Sequence, residues 1–112
     1  MTKPKLLPYK VWMRPEVHVT RKRLPGQIRQ RVKQTLRDLS RESRPSQSRT
    51  LRVPETGELA KEAGWELRRI RLEDWRIVYA VNESWREIVI LTIQRRPPYD
   101  YGDLEALLSE LR

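Results

Sequence analysis

The chain has 112 residues, with 24 lysines and arginines against 15 acidic residues, one histidine, no cysteine and a formal net charge of +9. That length supports one domain with a single modest core. The missing cysteine excludes a disulfide framework and any thiolate nucleophile or metal ligand, the lone histidine excludes a site built from several imidazoles, and no run reaches the ~20 apolar residues of a membrane-spanning helix.

The elements follow in chain order. Residues 1–8 form a flexible, Pro-containing lead without the apolar stretch of a secretory signal, so the cytoplasm is the expected location. Tyr9 to Arg14, YKVWMR, alternates as a strand and is stopped by Pro15. Pro15 to Leu24 reads as a short helix, against the preference of Val17, Val19 and Thr20. Pro25-Gly26 breaks the chain. Gln27 to about Arg44 then places Ile28, Val32, Leu36 and Leu39 on one helical stripe, and Pro45 ends it. Residues 43–64 form a long Ser/Pro/Glu-rich loop, anchored only by Leu51, Val53 and Leu59. A hairpin over Trp65 to Tyr79 follows, then a turn at Asn82 to Ser84 and a buried strand over Glu87 to Gln94. After Pro97-Pro98, Asp103 to Leu111 makes a short amphipathic helix with Leu104, Leu107, Leu108 and Leu111 on one face. The sum is a single α+β domain, order β-α-(α)-β-β-β-α, with helices on one face of a mainly antiparallel four-stranded sheet and the other face open.

Charge is distributed unevenly along this plan. Residues 1–52 hold 15 basic and 3 acidic side chains, net +12, whereas residues 53–112 hold 9 basic and 12 acidic, net −3. The first half is the footprint of a polyanion, and nucleic acid is the first candidate.

The hairpin carries the sharpest signal. With Glu73-Asp74 as its turn, Arg71 lies opposite Arg76 and Ile70 opposite Ile77. Ile70, Leu72, Trp75, Ile77, Tyr79 and Val81 share the core face; Arg69, Arg71 and Arg76 share the other with Val78 and Ala80. Like charges facing across a hairpin cost stability, so their clustering points to a bound anion; the alternative is a solvated face partly neutralised by Glu66 and Glu73. A two-residue turn at Glu83-Ser84 brings Arg95 onto the arginine face, and a three-residue turn sends it to the opposite one. Tyr99 and Tyr101 stand nearby, as a stacking rim for an unpaired base or as ordinary packing over the sheet edge.

A second basic feature is the ridge of Arg29, Lys33, Arg37 and Arg41 at steps of four along the long helix. With Arg21, Lys22 and Arg23 it suits contact with ribosomal RNA phosphates, against a merely solubilising face. His18, beside Val17 and Val19, reads as a surface or packing residue. Trp12, Trp65, Trp75 and Trp85 read as core and edge packing, with Trp65 the one to test as a base platform.

RRIRLEDWRIVYAV followed by ILTIQRRPPYDY resembles the signature of the RelE/ParE superfamily of bacterial toxins, and LPGQIRQRVKQTLRDL is similar to its long second helix. The resemblance runs from about Tyr9 to the end of the chain. It implies a toxin of a type II toxin–antitoxin pair with two main branches: RelE-like ribonucleases that cut messenger RNA in the ribosomal A site, and ParE-like inhibitors of DNA gyrase. Arg69 stands where RelE-like toxins have a strand Lys, Arg71 at the neighbouring basic position, Arg76 before the hydrophobic pair, Arg95 at the carboxy-terminal arginine, and Tyr99 or Tyr101 at the catalytic aromatic. That set favours the ribonuclease branch, acting without metal or cofactor on ribosome-bound message and held by a cognate RelB-like antitoxin. The alternatives are gyrase inhibition and a basic RNA-binding module that has lost the chemistry.

Overall fold

The hairpin forms as its alternation requires. In the computed structural model, which describes residues 8–51, 61–95, 108 and 111, β3 (Trp65–Leu72) and β4 (Trp75–Asn82) pair antiparallel with Leu72 opposite Trp75, Arg71 opposite Arg76 and Ile70 opposite Ile77. The turn holds Glu73 in the left-handed region (φ 55°), the backbone sense that matches strand twist in a two-residue connection. Ahead of the hairpin lie β1 (Lys10–Met13), α1 (Pro15–Lys22), α2 (Gly26–Leu39) and β2 (Ser48–Thr50); after it comes β5 (Glu87–Arg95).

Among the described residues the sheet has five strands in the order β1-β5-β4-β3-β2. The fold class is the expected α+β, with one strand more than the four expected. The addition is β2, three polar residues inside the segment read as loop, paired antiparallel to β3 with Arg49 opposite Arg69. β1 runs parallel to β5, and the remaining pairs are antiparallel.

Helices α1 and α2 cover one face of the sheet. Val17, Leu24, Ile28, Val32, Leu36 and Leu39 meet Ile70, Leu72, Ile77, Tyr79, Val81, Ile88, Ile90 and Ile93 there, and all are buried. α2 stops at Leu39, five residues short of the expected Arg44. The Ser40 hydroxyl donates to the Arg37 carbonyl at 2.7 Å, and the chain turns so that Tyr9 N–H reaches the Ser40 carbonyl at 2.7 Å. Such local side-chain bonding competes with helix continuation.

The opposite face is not wholly open, which corrects the expectation. Trp65, Leu67, Val78, Ala80 and Leu91 form a second apolar cluster there, covered by Leu108 and flanked by Leu51, Val89 and Leu111. Leu108 is helical and 2% exposed. Leu111 is half-buried and not helical, while residues 103–107, 109 and 110 of the expected helix, the lead through residue 7, and the loop anchors Val53 and Leu59 lie outside the described residues.

The strand connection after β4 also differs from expectation. Asn82 pairs with Glu87, leaving a turn of four residues, 83–86, in which the buried Asn82 side chain accepts from Trp85 N–H at 3.2 Å and donates to the Ala63 carbonyl at 3.0 Å. The Arg86 guanidinium lies 4.1 Å from the centre of the Tyr9 ring. Farther along, the register shifts: Tyr79 pairs with Ile90 but Val78 pairs with Thr92, so Leu91 is an extra residue in β5. A bulge of this kind reverses the alternation beyond it.

Candidate nucleic-acid interface

Among the described residues, four arginines share the sheet face away from α1 and α2. Arg69 and Arg71 alternate with the core residues of β3, Arg76 faces Arg71 from β4, and Arg49 faces Arg69 from β2. They occupy the end of this face nearest the β3–β4 turn, whereas the Trp65–Leu67–Ala80 cluster fills the other end. Arg71 and Arg49 are exposed, Arg69 is half-buried, and Arg76 is only 6% exposed. Arg76 is therefore not the solvent-facing side chain that alternation alone suggests; Arg71, Val78 and Gln94 are its nearest positions along and across the strands. A cation so deeply set raises the electrostatic potential at the surface above it more than a solvated one would.

The neutralising carboxylates foreseen for this face are engaged elsewhere. Glu66 points to the helix side, where Arg68 Nη1 donates to it at 2.8 Å and Arg44 Nε at 2.9 Å, and Glu73 pairs with Arg31 at 3.2 Å. The same network extends through an Arg44–Glu83 ion pair, a Tyr9 hydroxyl that donates to Glu83, and Arg68 Nη2 donating to Ser48 Oγ at 2.7 Å. It ties the chain after α2 to β2, β3 and the β4–β5 turn.

Arg95 does not join the arginine face. The Leu91 bulge places it opposite Trp75 on the helix side, where it lines a pocket of about 420 Å³ with Pro25, Gly26, Gln27, Ile28, Glu73 and Asp74. Gln94 takes its place beside Arg76. Tyr99 and Tyr101 lie outside the described residues. Arg29, Lys33 and Arg37 are exposed along α2, and Arg41 is exposed just beyond the helix rather than on it. Lys22 and Arg23 are exposed at the end of α1, with Arg21 half-buried. This ridge belongs to the helix layer, so it and the arginine face flank the sheet from opposite sides. His18 is half-buried on α1, also in the helix layer. Trp65 is buried and meets Trp85 edge-to-face at 6.1 Å, a packing role rather than an open base platform.

Arg49 is the residue that sequence reasoning missed. Its segment, Ser48–Thr50, has no apolar alternation, and only its pairing with β3 reveals which face it serves.

Between β1 and α2 runs a groove of about 360 Å³ lined by Tyr9, Val11, Met13, Leu36 and Ser40, with Arg21, Lys33 and Arg37 among its cationic residues. An apolar floor with a basic rim suits an acidic amphipathic segment.

The polar network sets an acid limit on the fold. Burial pushes the Glu66 carboxyl up, but hydrogen bonds and charge from Arg44 and Arg68 outweigh it and hold the group below the ordinary glutamate value. Glu83 is likewise lowered, as hydrogen bonds from Tyr9 and Arg44 overcome its desolvation. A carboxylate depressed in the folded state stabilises it fully above the unfolded value of about 4.3 and loses that contribution as pH falls through the folded pKa. Urea midpoints should therefore drop between pH 5 and pH 3, and less steeply in Arg44→Met. An equal slope in the variant would show that the network does not carry the acid response.

Two helices layered on one face of a mainly antiparallel sheet are the architecture that this chain shares with structures of the RelE/ParE toxin superfamily. The chain belongs to this superfamily: the family model for the ParE toxin of the type II toxin–antitoxin system parDE matches residues 16–97. It is thus a toxin of a type II toxin–antitoxin system. Among solved structures, the archaeal RelE–RelB complex from Pyrococcus horikoshii OT3 matches with a TM-score of 0.68 and 24% identity, over 82% of this chain and 99% of that one. The RelBE2 toxin–antitoxin complex from Mycobacterium tuberculosis gives 0.58 and 25%, over 84% and 98%. The isolated E. coli RelE toxin gives 0.60 and 14%, over 88% and 95%. No curated protein matches the chain. No helix among the described residues is long and apolar enough to cross a membrane.

Proposed function

We propose that this toxin is a ribosome-dependent endoribonuclease that cuts messenger RNA in the A site by attack of a 2′-hydroxyl on the adjacent phosphate. The observation that carries this reading is the Arg71–Arg76 pair, two guanidiniums opposed across a hairpin and flanked by Arg69 on the same face. Such an arrangement costs stability in the absence of an anion. Guanidinium forks bind phosphate oxygens bidentately and stay charged, which is what a phosphorane-like transition state asks of its surroundings. The cleavage splits the P–O5′ bond: the 2′-oxygen loses its proton, forms the new bond to phosphorus, and the 5′-oxygen leaves as a hydroxyl after taking up a proton. Arginine at position 69 is a poor base, because its guanidinium stays protonated throughout the physiological range. The arginine face therefore supplies positioning and charge, while Tyr99, Tyr101 or a ribosomal group supplies the proton transfers. Arg95, from the helix side of the same sheet end, is assigned to substrate phosphate beyond the cleavage point. The ridge of Arg29, Lys33, Arg37 and Arg41, with Arg21, Lys22 and Arg23, docks on ribosomal RNA. The toxin acts in the cytoplasm, and a cognate RelB-like antitoxin neutralises it with an acidic amphipathic segment suited to the groove between β1 and α2. The neighbouring RelE–RelB and RelBE2 structures, solved as toxin–antitoxin complexes, support such a partner.

The match to the ParE toxin model favours a second reading, inhibition of DNA gyrase. Mapping new RNA 5′ ends after induced expression separates the two. Cuts inside translated messages, in register with codons, are the expected result. DNA breaks with an SOS response and no such cuts would overturn the ribonuclease in favour of gyrase inhibition, and neither response would leave a binding module of the same fold.

A further inference from the structure

We infer that Arg49 is a substrate-binding residue and that, with Arg69, it forms a second phosphate subsite next to the Arg71–Arg76 pair; this deepens the ribonuclease reading and rests on it. β2 places Arg49 directly across from Arg69, just as β4 places Arg76 across from Arg71. The two cross-strand pairs are offset by two residues of β3, about 6.6 Å along the strand, and by one inter-strand spacing of about 4.8 Å across it, because β2 and β4 flank β3 on opposite sides. The resulting diagonal step of roughly 8 Å is within reach of neighbouring phosphates in an extended single strand of RNA held by long arginine side chains, so the pairs can hold successive phosphates of one chain crossing β3 obliquely.

Arg49 is also held in place before any ligand arrives. Its Nη1 donates to the carbonyls of Ser46 and Ser48, each at 3.1 Å. Among the described residues Nε and Nη2 take no other hydrogen bond, and the side chain is exposed. One edge of the fork is thus spent on orienting the group, and the rest remains for an anion. Fixing a long, rotamer-rich side chain in advance reduces the ordering cost of binding. A carboxylate partner would serve a purely structural Arg49 better than two carbonyls, and among the described residues no ion pair gives it one.

The test is the salt dependence of binding to a 10-nucleotide oligouridylate, read by fluorescence anisotropy on the full chain. Each phosphate neutralised on a single strand contributes about 0.7 to the slope of log K against log salt. Arg49→Gln, which can still donate to the loop carbonyls but carries no charge, should lower the slope by about 0.7 and weaken binding several-fold at low salt, with an unchanged melting temperature. Arg49→Lys should keep the wild-type slope. A wild-type slope in Arg49→Gln, or a loss in Arg49→Lys equal to that in Arg49→Gln, would overturn the subsite. The outcome separates from that of the nuclease itself: lowered slope without cleavage of translated message keeps the subsite and sinks the ribonuclease, whereas cleavage with an unaltered slope does the reverse.

Discussion

Arg71→Ala is expected to cut the rate of message cleavage on the ribosome by about 10²–10³-fold, the usual loss when one preorganised donor to a developing charge is removed, while leaving stability unchanged or slightly higher. The two halves of this expectation have one cause. Arg71 is exposed and faces Arg76, so its removal relieves a like-charge pair and creates no cavity. Catalytic loss with no stability loss is the signature of a group kept for chemistry at a cost in folding energy. Arg76 requires a different substitution because it is 6% exposed and its aliphatic stem belongs to the sheet. Arg76→Lys keeps the charge and most of the stem but loses the planar fork, and should reduce cleavage by at least about tenfold, one bidentate contact being worth more than 1.4 kcal/mol. Single-turnover cleavage on programmed ribosomes, with melting curves of the same samples, decides the matter. Wild-type cleavage in Arg71→Ala would remove the pair from the site, and a parallel fall in melting temperature would make its role structural.

The largest effect on stability is expected at Tyr79, where the arginine-bearing strand meets the core. Tyr79 is fully buried on the helix side of β4, and its hydroxyl donates to the Ser43 carbonyl at 2.8 Å, fastening the chain after α2 to the sheet. Tyr79→Ala removes a whole aromatic side chain from a closed site and should cost about 3–5 kcal/mol. For a domain whose entire stability is about 5–15 kcal/mol, that leaves a substantial unfolded population at 37 °C. Tyr79→Phe isolates the hydrogen bond, since the ring stays and the buried Ser43 carbonyl loses its donor; a loss of about 1–3 kcal/mol is expected. Urea unfolding of the three proteins measures both quantities. If Tyr79→Phe matches the wild type, the contact to Ser43 contributes nothing and the post-helical segment is held by the Arg44 network alone.

The hairpin was legible in the sequence because three signals agreed: strict alternation on both strands, an acidic pair suited to a two-residue turn, and β-branched residues on the inward positions of β4. Tyr79 in the core and Arg71 opposite Arg76 follow from that agreement. The α2 stripe was legible for the same reason. β2 was not, because Ser48, Arg49 and Thr50 offer no apolar alternation and are recruited by backbone pairing to an edge already formed by β3. The face of Arg95 was not, because Ile88, Val89, Ile90 and Leu91 form an unbroken apolar run: both sides of the strand are buried, so nothing in the pattern marks which residue is supernumerary. The depth of Arg76 escaped because alternation assigns a side of the sheet and carries no information about what stands above it.

That extra residue in β5 separates two properties usually taken together, the chemistry of a side chain and the surface on which it is displayed. Beyond Leu91 the surface is decided by counting. Drawing Leu91 into the ladder opposite Val78 would exchange Gln94 and Arg95 between the two sides of the domain, handing a positive charge from the helix layer to the arginine face, while the β2–β3 and β3–β4 pairings stayed as they are. A fold with this feature can redistribute charge between its surfaces by a one-residue slip of register, without substituting any residue that carries it.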